Sequence, residues 1–278
     1  DFEEYLYYKT RLLNMCGIGL VNKDDKHAPQ IIKAANCELY TYSEESKEAD
    51  FVASDIRYVS QPDFVGTEFH ISGKYDMEVR LGIPGLFNVV NALAAVSVCS
   101  FLGLDQARIS HALENIRVNG RMEIVYTSER CTVLVDYAHN AVSMESLLST
   151  LRDYKPKRLV CVFGCGGNRS KDRRYSMGEI GGKMADLSII TADNSRYEKV
   201  EDIIADIRGS IEKTGGKFIE IPDRREAIRY SILHAQPGDM VAVIGKGHED
   251  YQEINGVRHH FLDREVIEET VKELGEKA

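Results

Sequence analysis

Four stretches of this sequence gather side chains that can bind charge, and each follows a short apolar run. They are Asp136-Tyr137-Ala138-His139-Asn140, the glycine-rich segment from Gly164 to Arg174 (GCGGNRSKDRR), Asp193-Asn194-Ser195-Arg196, and Gly245-Lys246-Gly247-His248-Glu249-Asp250. Arg174 and Arg196 can fork onto carboxylates, whereas Asp193 and Glu249 can hold an ammonium group, so the mixture suits a zwitterionic amino acid. Taken singly, each stretch has a plainer explanation. Glycines after a strand form turns, Asp193 and Asn194 can cap a helix, and a lone His139 reads as a core histidine. Their joint placement behind strands weighs toward one composite site. DYAHNAV carries no GxGxxG fingerprint, which counts against a dinucleotide and hydride transfer.

The elements that must position these residues are legible as a pattern. From about residue 119 the apolar runs TVLVDY, RLVCVFG, LSIITAD, KFIEI and MVAVIG alternate with helix-like segments. This is the signature of a Rossmann-like, mainly parallel α/β sheet. In such a sheet, ligands bind at the C-terminal strand ends, where loops converge and helix N-termini offer free N–H groups. Four of the five runs lead to the polar stretches above; the fifth leads only to Asp223-Arg224-Arg225.

Residues 1–118 read differently. FEEYLYYKTRLL has helical spacing, and with no capping residue beyond Asp1 the helix is expected to begin upstream of a cut chain. The runs GIGLVN, CELYTY, DFVASDIRYV, TEFHISG and MEVRL suggest one sheet. Pro84-Gly85 then marks a turn before a long apolar helix ending at Gly103, and a second helix runs from about Asp105 to Ile116. The domain boundary near 118 rests on this change of pattern, since no repeat or linker interrupts the chain.

A chain of 278 residues with 43% apolar content can bury two cores. The net charge of −9 opposes attraction to nucleic acid or anionic lipid, and neither an 18-residue apolar run nor a signal sequence is present. A cytosolic address and no membrane partner are expected. The six cysteines lack paired CxxC spacing and read as reduced core residues.

FEEYLYYK, FNVVNALAA, NGRMEIV, VDYAHN, VFGCGGNRSKDRR, TADNSR and IGKGHEDYQ together resemble the Mur ligase family, in its order and approximate spacing over nearly the whole chain. The resemblance implies a truncated central mixed α/β ATPase-type domain (1–118) followed by a Rossmann-like C-terminal domain (119–278). It implies an ATP- and Mg2+-dependent amide ligase of peptidoglycan precursor synthesis, of the type that adds meso-diaminopimelate to UDP-N-acetylmuramoyl-L-alanyl-D-glutamate through an acyl phosphate. By the same resemblance Lys9 is the carbamylated lysine, catalytic and able to ligate magnesium through its added oxygens. Asn88 and Asn91 contact the ATP base, Arg121 approaches the phosphates, and Asp136 and His139 complete the nucleotide pocket. Arg174, Asp193, Asn194, Ser195, Arg196, Gly245 and Glu249 bind the incoming amino acid. Arg196 pairs with its distal carboxylate, which lysine lacks.

Departures from the family pattern leave alternatives open. Ser195 and Tyr175 stand where proline is usual, and Asn168 and Ser170 replace frequent acids, so L-lysine or another diamino acid is a competing substrate. No GxxGKT phosphate loop occurs, so the chain alone is expected to be inactive. A non-catalytic amino-acid-binding module and a folylpolyglutamate-type ligase are the remaining readings; GKGHEDYQ and DNSR count against the latter.

Overall fold

The computed structural model describes residues 1–275. The chain divides into two compact units, Asp1–Val59 with Gly66–Ile116, and Ser60–Val65 with Arg117–Ala278.

The first unit begins with α1 (Phe2–Leu13), whose N-terminus is closed by the Asp1 carboxylate accepting from the Glu4 N–H at 2.8 Å. Glu3 and Glu4 in the first turn and Arg11 in the last complement the helix dipole. A five-stranded sheet follows in simple order: β1 (Ile18–Asn22), β2 (Glu38–Ser43), β3 (Phe51–Gln61), β4 (Phe64–Gly73) and β5 (Met77–Leu81). The anticipated single sheet is thus present. The short α2 (Ala28–Ala34), between β1 and β2, was not anticipated; Pro29 in its first turn suits a helix start. The long helix α3 (Leu86–Phe101) buries Val89, Ala92, Leu93 and Val96, an i, i+3, i+4, i+7 stripe against Phe51, Phe69, Ile71 and Leu81. Next comes α4 (Gln106–Asn115), capped by Asp105 and burying Ile109 and Leu113 in the same core.

In the second unit, β6 (Glu123–Thr127), β7 (Cys131–Asp136), β8 (Arg158–Phe163), β9 (Leu187–Ile190), β10 (Phe218–Glu220) and β11 (Asp239–Ile244) form one sheet in the order β10-β9-β8-β11-β7-β6. Every pairing is parallel except β6 with β7, an edge pair whose register shifts between Ile124 and Tyr126. Helices α5 (Ala141–Asp153), α6 (Asp172–Met184) and α7 (Val200–Thr214) carry the chain from β7 to β10, always in one direction across the sheet. Then α8 (Arg224–Leu233) reverses direction, returning the chain to the central slot that β11 fills. Because right-handed crossovers place helices by direction of travel, α8 lies on the opposite face from α5–α7.

Strand alternation matches this double winding. Val133, Val135, Val160, Val162, Val241 and Val243 face Ala227 and Ile228 of α8 and Val266 and Ile267 of α9 (Asp263–Glu273). The intervening residues Leu134, Leu159, Cys161 and Phe163 are equally buried, as strands covered on both sides require. The β12 (Tyr251–Ile254) and β13 (Val257–His260) hairpin lies between β11 and α9.

Candidate active site

The C-terminal ends of β7, β8, β9 and β11 bring the four polar stretches to one edge of the sheet, around a cleft of about 500 Å³. At the end of β7, Asp136 accepts from the Ala138 N–H through Oδ1 and the Met122 N–H through Oδ2, both at 2.7 Å. Its burial raises the carboxyl above its ordinary range, against those bonds and nearby Arg121. Tyr137 follows, with Arg121 over its ring at 5.6 Å and His139 edge-on at 5.0 Å. The His139 Nδ1 lies 2.9 Å from the Tyr137 carbonyl; a carbonyl can only accept, so Nδ1 carries the proton.

The glycine-rich loop after β8 lies against the loop after β9. Gly167 donates its N–H to the Asn194 carbonyl at 2.9 Å, and a Cβ on Gly167 would lie 1.9 Å from the Ser195 carbonyl oxygen. Only glycine permits that approach. Arg196 holds φ at +51°, its Nη1 donates to the Gly167 carbonyl at 2.6 Å, and its Nε lies 3.7 Å from Glu253. Its backbone joins the β12–β13 hairpin through a bond to the Glu253 carbonyl at 3.0 Å. The hairpin therefore orients Arg196.

Charge in the cleft is divided. Arg169, Arg173 and Arg196 contribute cations to its lining, and Asp193 and Glu249 contribute anions. Asn194 Nδ2 donates to Glu249 Oε2 at 3.0 Å, and the Tyr137 hydroxyl donates to Oε1 at 3.3 Å. Gly245, at φ +112°, starts the last loop close to Asp193. Behind this loop Lys246 is fully buried, with Nζ directed at Asn194, Glu249 and the Tyr251 carbonyl.

Of the residues singled out from sequence, His139, Asp193, Asn194, Arg196, Gly245 and Glu249 line this cleft. Ser195 is buried behind it, and Asp136 braces the adjoining turn. Arg174 departs from its expected place. It is 1% exposed, with Nη1 on Asp206 at 2.9 Å and Nη2 on both oxygens of Glu198 at 2.8 Å, so its guanidinium faces the protein's own acids instead of the cleft. The physical reason is its position on the buried side of α6 with Met177, Gly178 and Gly181. Arg173, one residue earlier, takes the cleft position.

Three further residues belong to the first unit. Lys9 is exposed, with its ammonium 5.4 Å from the Tyr5 ring centroid, in a hollow it shares with Asp25 and His27. Asn88 donates to the Pro84 carbonyl at 2.7 Å, and Asn91 to Asn88 Oδ1 at 3.5 Å, so both amides lie at the start of α3. Among the described residues, no group of three or more His, Cys, Asp or Glu side chains is arranged to hold a metal ion.

Residues 120–247 match the family model for the Mur ligase, glutamate ligase domain, and residues 1–99 match that for the Mur ligase middle domain. The UDP-N-acetylmuramoyl-L-alanyl-D-glutamate--2,6-diaminopimelate ligase of Caldanaerobacter subterraneus subsp. tengcongensis is 37% identical, over 98% of this chain and 56% of that protein. Ligase 2 of the same name from Clostridium acetobutylicum is 40% identical over 96% of this chain and 55% of its own length. A solved structure of a ligase bearing that name superposes with a TM-score of 0.78 at 34% identity, covering 100% of this chain and 58% of the other. Folylpolyglutamate synthase of Thermotoga maritima shares the fold at a TM-score of 0.61 and 20% identity. The chain spans about half the length of the curated relatives it matches. With two domain models matching in chain order and the four polar stretches gathered at one sheet edge, the chain belongs to the Mur ligase family.

Proposed function

We propose that this chain supplies the amino-acid-receiving part of an ATP-dependent ligase that adds meso-diaminopimelate to UDP-N-acetylmuramoyl-L-alanyl-D-glutamate in the cytoplasm. The observation that carries the reading is the divided charge of the cleft: three arginines and two carboxylates over about 500 Å³ fit a ligand with both ammonium and carboxylate groups. Asp193 and Glu249 hold an ammonium group, and Arg196, with Arg169 and Arg173 in the same lining, receives a carboxylate. The bound amine is thereby restricted in orientation before it attacks the activated carbonyl, which is where such a site accelerates the reaction.

ATP supplies the phosphoryl group that activates the acceptor carboxylate as an acyl phosphate. Asn88 and Asn91 are proposed as contacts of its base, Arg121 as a contact of its phosphates, and Asp136 and His139 as further nucleotide-binding residues. Unmodified Lys9 offers no oxygen to Mg2+; as a carbamate it would offer two, and its exposed amine is open to carbon dioxide. The 278 residues contain no GxxGKT segment, so sustained phosphate release by this chain alone is not expected. Six free cysteines suit a reducing compartment.

Calorimetric titration tests the substrate assignment. Meso-diaminopimelate should bind at least about tenfold more tightly than L-lysine, because lysine leaves the Arg196 site without its carboxylate. Arg196→Ala should remove most of that preference while changing lysine binding little. Equal binding of both amino acids by the unaltered chain would exclude diaminopimelate selectivity.

A further inference from the structure

Lys246 is a fully buried charge beside the cleft, with 0% of its side chain exposed, and it does not line the cleft. Its ammonium group has three N–H donors and three acceptors within reach. These are Asn194 Oδ1 at 3.2 Å, Glu249 Oε2 at 3.5 Å and the Tyr251 carbonyl oxygen. Asp193 Oδ1 lies at 4.0 Å, completing a ring of anionic and dipolar oxygen around one cation. A lysine so saturated has no donor left for a ligand.

The consequence falls on Asn194. An amide side chain can turn either end toward a neighbour, and here two donors, Lys246 Nζ and the Glu253 N–H at 3.0 Å, both demand oxygen on the same side. Nδ2 must then face Glu249 Oε2, which it does at 3.0 Å. Glu249 is held in turn through Oε1 by the Tyr137 hydroxyl. The buried cation, together with the Glu253 N–H, thus fixes which way an amide points, and the amide helps to hold a carboxylate at the cleft wall.

We infer that Lys246 is a positioning residue that sets the orientation of Asn194 and Glu249 and partly neutralises the Asp193 and Glu249 pair, so that this wall accepts a single ammonium group. The inference rests on the amino-acid-binding reading of the cleft. Lys246 also explains the form of the last polar loop: glycines at φ +112° and +54° on either side let the backbone turn the lysine inward while Glu249 remains at the cleft.

The test compares Lys246→Met, which keeps the length and removes charge and donors, with Lys246→Gln, which restores donors without charge. The first readout needs no ligand: the side-chain NH2 signals of Asn194, assigned in 1H–15N spectra by their loss in Asn194→Asp. In the unaltered protein one Asn194 proton should exchange slowly. In Lys246→Met it should exchange at least about tenfold faster, with Lys246→Gln recovering part of the protection and backbone signals away from the cleft unchanged. The second readout is calorimetry with meso-diaminopimelate, where Lys246→Met should weaken binding about tenfold or more. Unchanged Asn194 exchange in Lys246→Met overturns the positioning role, as does unchanged affinity in a protein that binds. Faster exchange in a protein that binds no diamino acid supports the positioning of Asn194 and instead removes the amino-acid reading of the cleft.

Discussion

Arg224 and Asp263 form an ion pair with no exposed side-chain surface on either partner, joined by two bonds of 2.7 Å. Arg224 also donates to the carbonyls of Ala192 and Ile244, the residues immediately before Asp193 and Gly245. It therefore ties the ends of β9 and β11 together beneath the cleft. Arg224→Met should destabilise the fold by about 3–5 kcal/mol in urea unfolding, because Asp263 is left charged and unpaired in the interior. Replacing both partners with apolar residues should cost far less, and a loss below about 1 kcal/mol in the single variant would contradict this account. Nothing in Asp223-Arg224-Arg225 announces the role, since the partner lies 39 residues away. Arg174 was more legible than that. Its spacing to Met177, Gly178 and Gly181 marks the inward stripe of a helix, a signal against a cleft position. Lys246 had no such marker, because its burial depends on how two glycines turn the chain.

At the scale of elements, the start of α5 couples local sequence to the site. Asn140 Oδ1 accepts from the Ser143 N–H at 3.0 Å, while Ser143 Oγ accepts from the Asn140 N–H at 3.4 Å, closing a capping box directly after His139. Asn140→Ala should cost about 1 kcal/mol in urea unfolding, and Asn140→Gly only a few tenths. A neutral Asn140→Ala would show that tertiary packing alone holds this helix end. The buried strands β7, β8, β9 and β11 were readable because coverage on both faces demands uninterrupted apolar runs. β6 was not, since an edge strand with a register shift and mixed Glu123-Ile124-Val125-Tyr126-Thr127 composition lacks that pattern. The β12–β13 hairpin carried a usable signal outside apolarity: Asn255-Gly256 at its turn, with φ of +50° and +77°, is a strong hairpin pair.

For the whole molecule, acid should expose the electrostatic contribution to stability. Glu198 is held below its ordinary range by the Asn168 N–H and then by Arg174. Burial pushes Asp206 upward, but bonds from Arg174 and Lys171 outweigh it, and its carboxyl is also lowered. Groups lowered in the folded state stabilise it fully above the unfolded carboxylate range, roughly pH 4, and lose that contribution as pH falls through the folded values. Asp136 is raised and acts in the opposite sense, with its contribution lost as pH rises through its folded value. Urea midpoints should therefore fall as pH drops below about 4, less steeply in Glu198→Gln/Asp206→Asn; a midpoint that rises there would contradict the ion-pair balance. The membership of Ser60–Val65 in the second unit depends on three-dimensional proximity that no local pattern records. The slot filled by β11 has a temporal consequence as well. Until residues 239–244 pair with β7 and β8, no backbone ladder joins β6–β7 to β8–β9–β10. Two strand edges stay unpaired until then, and Gly245 and Glu249 reach the crevice only with the last central strand, so closure of the domain should be a slow, non-local step exposed to mispairing.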